Sequence, residues 1–502
     1  MYRTIHKTLV HLVQRVSEFT FQKIFFRIAF RVLHPFGNNL EIMDKLAPGT
    51  TKEIRRRILF LPITYSLILS GIAVLAKAQD SAVLHLPPKW NLATCLDYAK
   101  KNNIQLNTLR LNEQIDAQTL LQAKAAKFPT LTGVLSGTFT HSTNANPVIG
   151  GFATQSTFAN NYGLNSNWTV FNGGYLNQNV RVKALKVESD KLSVAENENN
   201  LTIQITQDYL NILLAREGIV YAEDLLSTSQ AQQDQGKELY QAGSIARNAL
   251  TVLEAQTASD KYQLTAAKNL YRQNVLNLKQ LLQLPSGYSM EIEVPDTVVA
   301  VSAVPPLEDV QRTAYETRPE IKNALLGEEI ARTNLKMARA QSLPVATIGA
   351  ALASGYSNNE SEKYFTQLSN NFYQRVGLNV TIPIFNNRLY KTQIEISKAE
   401  IDQARLSKLG TQTQLSQEVE QAYINVLNTQ SQYDAADVQL KASQESYRVA
   451  SEQFKVGASN LVGLLQQKNL YVQALQNYMQ AKYSAVLNIL IYNFYKGEPI
   501  RL

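Results

Sequence analysis

Hydrophobic and polar positions follow two periods along this chain, and each period predicts a different kind of element. Apolar residues recur at spacings of three and four between residues 174 and 240 and again between 388 and 454, and neither stretch contains proline. Such spacing is typical of amphipathic helices. Each stretch has 67 residues and so predicts one helix of about 100 Å. Two structures fit this pattern: a soluble coiled coil, and the wall of a tube with water on both its inner and outer surface.

Four shorter segments alternate with period two, which predicts β-strands of about ten residues with one apolar face and one small or polar face. The rows on the four mainly apolar faces, called the apolar rows below, are Leu131, Leu135 and Phe139; Tyr162, Leu164, Ser166, Trp168 and Val170; Ala346, Ile348, Ala350, Leu352 and Tyr356; and Val376, Leu378, Val380, Ile382 and Ile384. This length and pattern suit strands that cross a bilayer, and one face of a soluble sheet alternates in the same way. Residues 142–160 and 357–371 are expected to be loops facing the exterior.

Four strands are too few to close a barrel in lipid, which takes about eight or more. An open sheet would leave two edges of unpaired backbone groups, and each such group costs several kcal/mol in lipid. We therefore expect copies of the chain to share one barrel. Two copies would give eight strands and three would give twelve; an eight-stranded barrel encloses only side chains, which favours three.

The chain contains the same series of elements twice. Residues 92–99 correspond to 307–314, Phe128-Pro129 to Leu343-Pro344, and Tyr240-Gln241-Ala242-Gly243 to Phe454-Lys455-Val456-Gly457, with an offset of 215 that falls to 214. Each copy is predicted to run helix, strand, strand, long helix, turn and helix. We place the first repeat at 79–290 and the second at 291–502. Matching Asn248 with Asn460 predicts a first turn two residues longer than the second.

The charge is concentrated at the beginning of the chain. Residues 1–78 hold 12 basic and 4 acidic residues, whereas 79–502 hold 37 of each. A neutral body gives nucleic-acid binding no electrostatic support. Arg55-Arg56-Arg57, an apolar run over 58–75 and Ala76-Lys77-Ala78 follow the order of a secretory signal. We predict an upstream extension, a start at Met43 and cleavage after Ala78, with an uncleaved anchor as the alternative.

Residues that carry catalysis or bind metals are scarce. Cys95 is the only cysteine and occupies an apolar helical position, where a free cysteine acts as a small hydrophobe. Only His85 and His141 remain after the predicted cleavage, and no glycine-rich phosphate loop or nucleophile–base motif is present. We therefore expect no enzyme, no cofactor and no metal site.

The order, duplication and spacing of these pieces resemble the TolC family of outer-membrane efflux and secretion ducts over residues 92–497. The resemblance is carried by the helix openings that end in Lys101-Asn102-Asn103 and Thr317-Arg318-Pro319, the strand exits Val170-Phe171-Asn172-Gly173-Gly174 and Ile382-Pro383-Ile384-Phe385-Asn386, and the two tips. It implies a mainly helical chain that contributes four strands to a trimeric 12-stranded β-barrel, continued by a 12-helix α-barrel in the periplasm. It also implies a bacterial outer-membrane homotrimer that works with a periplasmic adaptor protein and an inner-membrane pump.

The resemblance places functional positions at the tips and at the ends of the strands. The periplasmic entrance would lie around Gly243 and Gly457, the helix-to-strand junctions at Pro129 and Pro344, and the strand-to-helix junctions at Phe171, Asn172, Gly173, Phe385 and Asn386. Enteric members carry two aspartates just past the second tip, where this chain has Gly463 and Gln466, and Thr251 is matched with the first of these in the first repeat. The expected function is passive small-molecule efflux gated at the tip. Type I protein secretion and a periplasmic adaptor are the alternatives, although an adaptor has a single helical hairpin and this chain has two.

Overall fold

The computed structural model describes residues 86–146, 150–295 and 303–502, and every element named below lies in the unit Pro87–Leu502. The predicted secretory signal, with Met43, the arginines 55–57 and Ala78, lies outside the described residues. In chain order the elements are α1 (Leu92–Asn102), α2 (Ile104–Ala125), β1 (Thr130–Asn146), β2 (Gly151–Phe171), α3 (Tyr175–Gln241), α4 (Arg247–Leu281), α5 (Leu307–Thr317), α6 (Pro319–Ala340), β3 (Val345–Ser357), α7 (Tyr364–Asn370), β4 (Tyr373–Thr381), α8 (Leu389–Lys455) and α9 (Leu461–Tyr495).

The helix bounds confirm the duplication. Helices α1 and α2 precede their counterparts α5 and α6 by 215 residues, and α3 and α4 precede α8 and α9 by 214. The first copy contains one helix more than predicted, because the chain bends after α1 and starts again as α2. The second copy contains two more, because the same bend separates α5 from α6 and because α7 lies within the expected loop 357–371. At the first bend the Asn103 side chain accepts a hydrogen bond from the Leu106 amide at 3.1 Å and caps α2. At the second bend Pro319 is the first residue of α6, a position that proline favours.

The two long helices have the predicted length of 67 residues each. Their apolar side chains are most buried halfway along, where the short helices pack against them. The core of the second repeat joins four helices through Val310, Ala314, Ile321, Leu415, Val419, Ala422, Val426, Ile489, Tyr492 and Tyr495. Cys95 is fully buried in the first repeat, and burial raises the pKa of its thiol to about 12. No helix in the described ranges is both long and apolar enough to cross a membrane.

The four strands form one antiparallel sheet in the order β1-β2-β3-β4. The register aligns the four predicted apolar rows on a single face: Leu131 lies opposite Ser166, Ser166 opposite Ala350, and Ala350 opposite Val376. The other face carries the row Thr132, Asn165, Ala351 and Arg375. The side chains of β4 are exposed throughout, including Val376 at 77% and Leu378 at 69%. The predicted alternation therefore extends across all four strands up to the irregularity near the end of β2, where Phe171, and not Val170, lies opposite Ala346.

Two predictions about the sheet were wrong in detail. Most of the expected loop 142–160 is strand, because β1 and β2 continue as a ribbon in which Thr143 and Thr154 share a hydrogen bond of 2.9 Å. Cross-strand polar pairs of this kind stabilise a ribbon whose composition resembles a loop. Strand β4 stops at Thr381, so Ile382 and Ile384 lie beyond it. Pro383 lacks the N–H that a continued ladder would require.

Candidate functional site: the strand–helix junctions and the helical tips

The structure brings the junctions of the two repeats together at one end of the sheet. Gly173, which follows β2, packs against the turn that leads into β3, so a Cβ there would lie 2.8 Å from the Ala340 carbonyl oxygen and 2.8 Å from Leu343. Pro344 is the next residue along that turn. Pro129 lies beside the end of β2, because Thr130 pairs with Asn167. Phe385 and Asn386 follow β4, whose last residue, Thr381, pairs with the first residue of β3.

Each long helix begins after two residues in the left-handed region. In the first repeat these are Gly173 (φ 64°) and Gly174 (φ 85°), and in the second they are Asn387 (φ 49°) and Arg388 (φ 67°). The carbonyls of Asn172 and Asn386 then accept the first amides of α3 and α8, at 3.1 and 3.0 Å. Glycine adopts this geometry without strain, whereas an L-residue such as Arg388 pays about 1–2 kcal/mol. The two repeats therefore adopt the same backbone conformation at this junction with different residues.

The tips lie at the other end of the long helices, about 100 Å from the junctions at 1.5 Å per residue. Gly243 (φ 73°) and Gly457 (φ 76°) end α3 and α8. The following amides, of Ser244 and Ala458, donate to the carbonyls of Leu239 and Gln453 at 2.8 Å each. This hydrogen-bond pattern closes a helix on a left-handed glycine, as the sequence predicted.

The two tips have equal length, so the prediction of a longer first tip was wrong. Five residues separate the helices in each repeat, 242–246 and 456–460. The counterpart of Gly463 is consequently Ala249, not Thr251, whose own counterpart is Leu465. The error came from matching Asn248 with Asn460. Asn460 is the cap of α9, where its side chain accepts from the Gly463 amide at 2.8 Å, and Ala246 holds that position before α4 without a side-chain bond.

Thr251 and Gln466 are exposed and Gly463 is half-buried. No acidic residue occupies the first turn of α4 or of α9. Exposed ion pairs of i,i+3 spacing precede the second tip, and their cations lower the pKa of Glu445 through Arg448 and of Glu452 through Lys455.

A buried charge joins the two repeats about 20 Å or less from the tips, counted along the helices. Lys468 on α9 is fully buried, and its Nζ donates to Asp260 Oδ2 on α4 and to Ser229 Oγ on α3, at 2.5 Å each. Gln256 donates to the other oxygen of Asp260 at 3.0 Å. We call Lys468, Asp260 and Ser229 the tip-proximal cluster. Removing one partner of such a buried pair typically costs about 3–5 kcal/mol.

A second link between the repeats lies further from the tips. Lys482 on α9 contacts both carboxylate oxygens of Glu217 on α3 at 3.1 Å, and both side chains are 20% exposed. Nearer the tip-proximal cluster, Gln232 on α3 donates to the Tyr447 hydroxyl on α8 at 3.3 Å. Burial raises the pKa of Tyr447, so its hydroxyl stays protonated at neutral pH. Lys468 and Lys482 thus attach helix α9 to the first repeat by polar contacts at two distances from the tips.

Sequence reasoning missed the tip-proximal cluster, although the sequence held a signal for it. Lys468 lies on the same helical stripe as Leu464 and Leu475, which are 0% and 3% exposed. A lysine at a core position of an amphipathic helix requires a buried partner. The partner itself could not be identified, because Asp260 is 208 residues away.

Comparisons with known proteins agree with this architecture. The sequence profile described as "Outer membrane efflux protein" matches residues 95–283 and 310–488, one match in each repeat. The chain is 23% identical over 436 residues to the outer membrane efflux protein BepC of Brucella suis, covering 85% of this chain and 87% of BepC. It is 21% identical over 459 residues to the outer membrane protein TolC of Escherichia coli, covering 86% and 84%.

A solved structure has the same fold. The outer membrane channel CmeC of Campylobacter jejuni superposes with a TM-score of 0.68 at 19% identity, covering 81% of this chain and 86% of CmeC. The profile matches most of the chain, and its two matches begin 215 residues apart, as α1 and α5 do. This protein belongs to the outer membrane efflux protein family and is an outer-membrane duct of the kind that serves tripartite efflux systems, with its helical part in the periplasm.

Proposed function

We propose that three copies of this chain form one passive duct that exports small molecules, opens at its helical tips, and works with a periplasmic adaptor protein and an inner-membrane pump. The observation that carries the proposal is the sheet. It has one continuous apolar face and two strands, β1 and β4, with a single neighbour each in the described chain. In lipid the open edges of these strands would cost tens of kcal/mol at several kcal/mol per unpaired group. Three copies joined edge to edge would give twelve strands and leave no edge.

Gating at the tips is supported by the way α9 is attached to the first repeat. The tip-proximal cluster and the Lys482–Glu217 pair hold α9 against α3 and α4, so opening by an outward swing of α9 would have to break them. A partner that binds the open arrangement more tightly would shift the population towards it. The adaptor protein is the proposed source of that binding energy, and the pump drives transport.

Cross-linking the tips tests this gate. In a Cys95→Ala background, Ser244→Cys and Ser459→Cys would be joined between neighbouring tips by a bismaleimide. We expect dye efflux in living cells to stop in proportion to the cross-linked fraction, while each single-cysteine variant treated in the same way keeps its activity. Full efflux by completely cross-linked protein would contradict gating at the tip.

The composition of the entrance predicts weak block by multivalent cations, because Gly463 and Gln466 place no carboxylate just past the second tip. Single-channel recordings should show little inhibition by micromolar trivalent cations. Gly463→Asp with Gln466→Asp should create tight block, since carboxylates from three copies would meet at one constriction. Tight block of the unaltered protein would contradict the prediction.

Type I protein secretion is the second candidate, because the same duct geometry serves polypeptides. The neighbouring genes distinguish the two functions: a proton-driven pump favours small-molecule efflux, and an ATP-driven exporter favours polypeptide cargo.

A further inference from the structure

We propose that the strand–helix junctions form a cationic girdle that binds the phosphate-bearing headgroups of anionic phospholipids, in the leaflet on the helical side of the barrel. The girdle consists of Lys124, Lys127, Arg181, Lys183, Lys336, Arg339, Arg388 and Lys391. The inference rests on the proposed trimeric barrel and adds a lipid ligand to it.

Each crossing between a strand and a helix contributes two cations and no acid. Residues 118–129, 172–183, 333–344 and 382–393 adjoin the start of β1, the end of β2, the start of β3 and the end of β4. Together these four windows hold 8 basic and no acidic residues, whereas 79–502 as a whole is balanced at 37 of each. The antiparallel register brings all four windows to the same end of the sheet. Basic residues of this otherwise neutral part of the chain are therefore concentrated at this end of the sheet.

The cations of the girdle are available to a ligand. Seven are exposed and Lys183 is half-buried. Within the described part of the chain only Arg181 forms a salt bridge, with Glu329 at 2.5 Å. One or two helical turns further along α6 from the sheet, by contrast, the cations are paired: Glu328 forms salt bridges with Arg332 and Lys408 at 2.6 Å each. At every girdle cation except Arg181, a phosphate can form charge-assisted hydrogen bonds without displacing a carboxylate from a salt bridge.

Exposed apolar side chains lie between the strands and these cations. Phe128, Phe171, Leu343 and Phe385 occupy equivalent positions at the four crossings and are 70%, 51%, 44% and 85% exposed. Trp168, on the apolar face of the sheet, donates its Nε1 proton to the Lys127 carbonyl at 2.8 Å. An apolar surface followed by aromatic rings and then by long cationic side chains is the arrangement of a membrane interface. The girdle continues the lipid-facing surface into the headgroup layer.

Lipid retention tests this inference. The full chain would be reconstituted with phosphatidylcholine and phosphatidylglycerol at 4:1 and extracted gently, and the retained lipids quantified by mass spectrometry. We expect phosphatidylglycerol to be enriched at 0.05 M salt and the enrichment to fall at 0.5 M salt, where surface charges are screened. One surface cation strengthens attachment to an anionic membrane about fivefold. Lys124→Gln, Lys127→Gln, Lys336→Gln and Lys391→Gln together should therefore lower the enrichment at least about tenfold.

A matched variant removes four exposed cations elsewhere on the helices: Lys100→Gln, Lys101→Gln, Lys261→Gln and Arg272→Gln. It should retain the enrichment of the unaltered protein. Enrichment that is insensitive to salt, or lost equally in both variants, would overturn the proposal. So would a junction variant that keeps its lipids but changes the ion selectivity of the pore, because the girdle would then line the pore. Native mass and conductance measured on the same samples report separately whether the trimeric duct has formed.

Discussion

Lysine has opposite surroundings at the two ends of the long helices. Near the tips Lys468 is fully buried and held by Asp260 and Ser229. At the junctions Lys336 and Lys391 are exposed and form no salt bridge within the described residues. A buried charge needs a partner on another helix and so fixes how the helices pack, whereas an exposed one leaves the packing unchanged and can bind a ligand. Position in the fold, and not residue type, determines what each lysine does.

The largest expected effect is that of Lys468→Met. It leaves the Asp260 carboxylate buried without a counter-charge, which should destabilise the closed packing of α9 by about 3–5 kcal/mol. Single-channel recording should show a higher open probability, and the urea midpoint of unfolding should fall.

Lys482→Met is the matched control for this variant, because it removes the other cross-repeat lysine of α9. Its pair is 20% exposed and so partly screened by water, and the expected loss is smaller, about 1–2 kcal/mol. Combining Lys468→Met with Asp260→Leu should restore most of the stability by removing both charges. Equal effects of the two lysine variants would refute the contrast between a fully buried cation and a partly exposed one.

At the junction the expected loss is smaller and depends on a glycine. Gly173→Ala places a Cβ 2.8 Å from the Ala340 carbonyl oxygen in a left-handed residue, while Gly174→Ala meets nothing within 4 Å at a similar φ. We expect Gly174→Ala to lower the free energy of unfolding by about 1 kcal/mol through backbone strain alone, and Gly173→Ala to lower it clearly more. Thermal unfolding of the two variants measures the difference. If they were equally stable, the close approach between the repeats at this end of the sheet would be wrong.

The sequence predicted periodic features well and pairwise contacts poorly. The 67-residue helices, the glycine tips and the four apolar rows were visible because each follows from a repeated spacing along one segment. The second opening helices were not predicted, because Asn103 and Pro319 were interpreted as ends and not also as new starts. The tip-proximal cluster depends on Asp260 and Lys468, 208 residues apart, and no local pattern encodes such a pairing.

The two tips differ in one helix N-cap, and changing this cap should have an effect of intermediate size on stability. Asn460→Ala removes the acceptor for the Gly463 amide and should destabilise α9 by about 1 kcal/mol. Ala246→Asn introduces the missing cap in α4 and should stabilise that tip by a similar amount. Hydrogen exchange of the amides in the first turn of each helix would report both changes. Faster exchange in α9 of the first variant and slower exchange in α4 of the second are expected, and no change in either would contradict the assignment of the caps.

Acidification should have the smallest effect on stability. It acts at Glu328, which lies further from the sheet than the girdle residues of α6. Hydrogen bonds from Lys408 and Arg332 lower the pKa of Glu328 to about 2 from an ordinary value of 4.5. The stability that this carboxylate provides is complete above pH 4.5 and is lost as the pH falls towards 2. Glu328→Gln should therefore be less stable than the unaltered protein at pH 7 and equally stable near pH 2, as measured by urea midpoints. A difference that does not depend on pH would contradict this role.

We propose above all that four strands per chain are pooled among copies to close one barrel. Native mass spectrometry of the conducting protein, released from detergent micelles, counts those copies directly. We expect a single assembly of three chains with twelve strands. A channel that conducts as one chain would show that the open edges of β1 and β4 are closed in some other way, and would contradict this proposal.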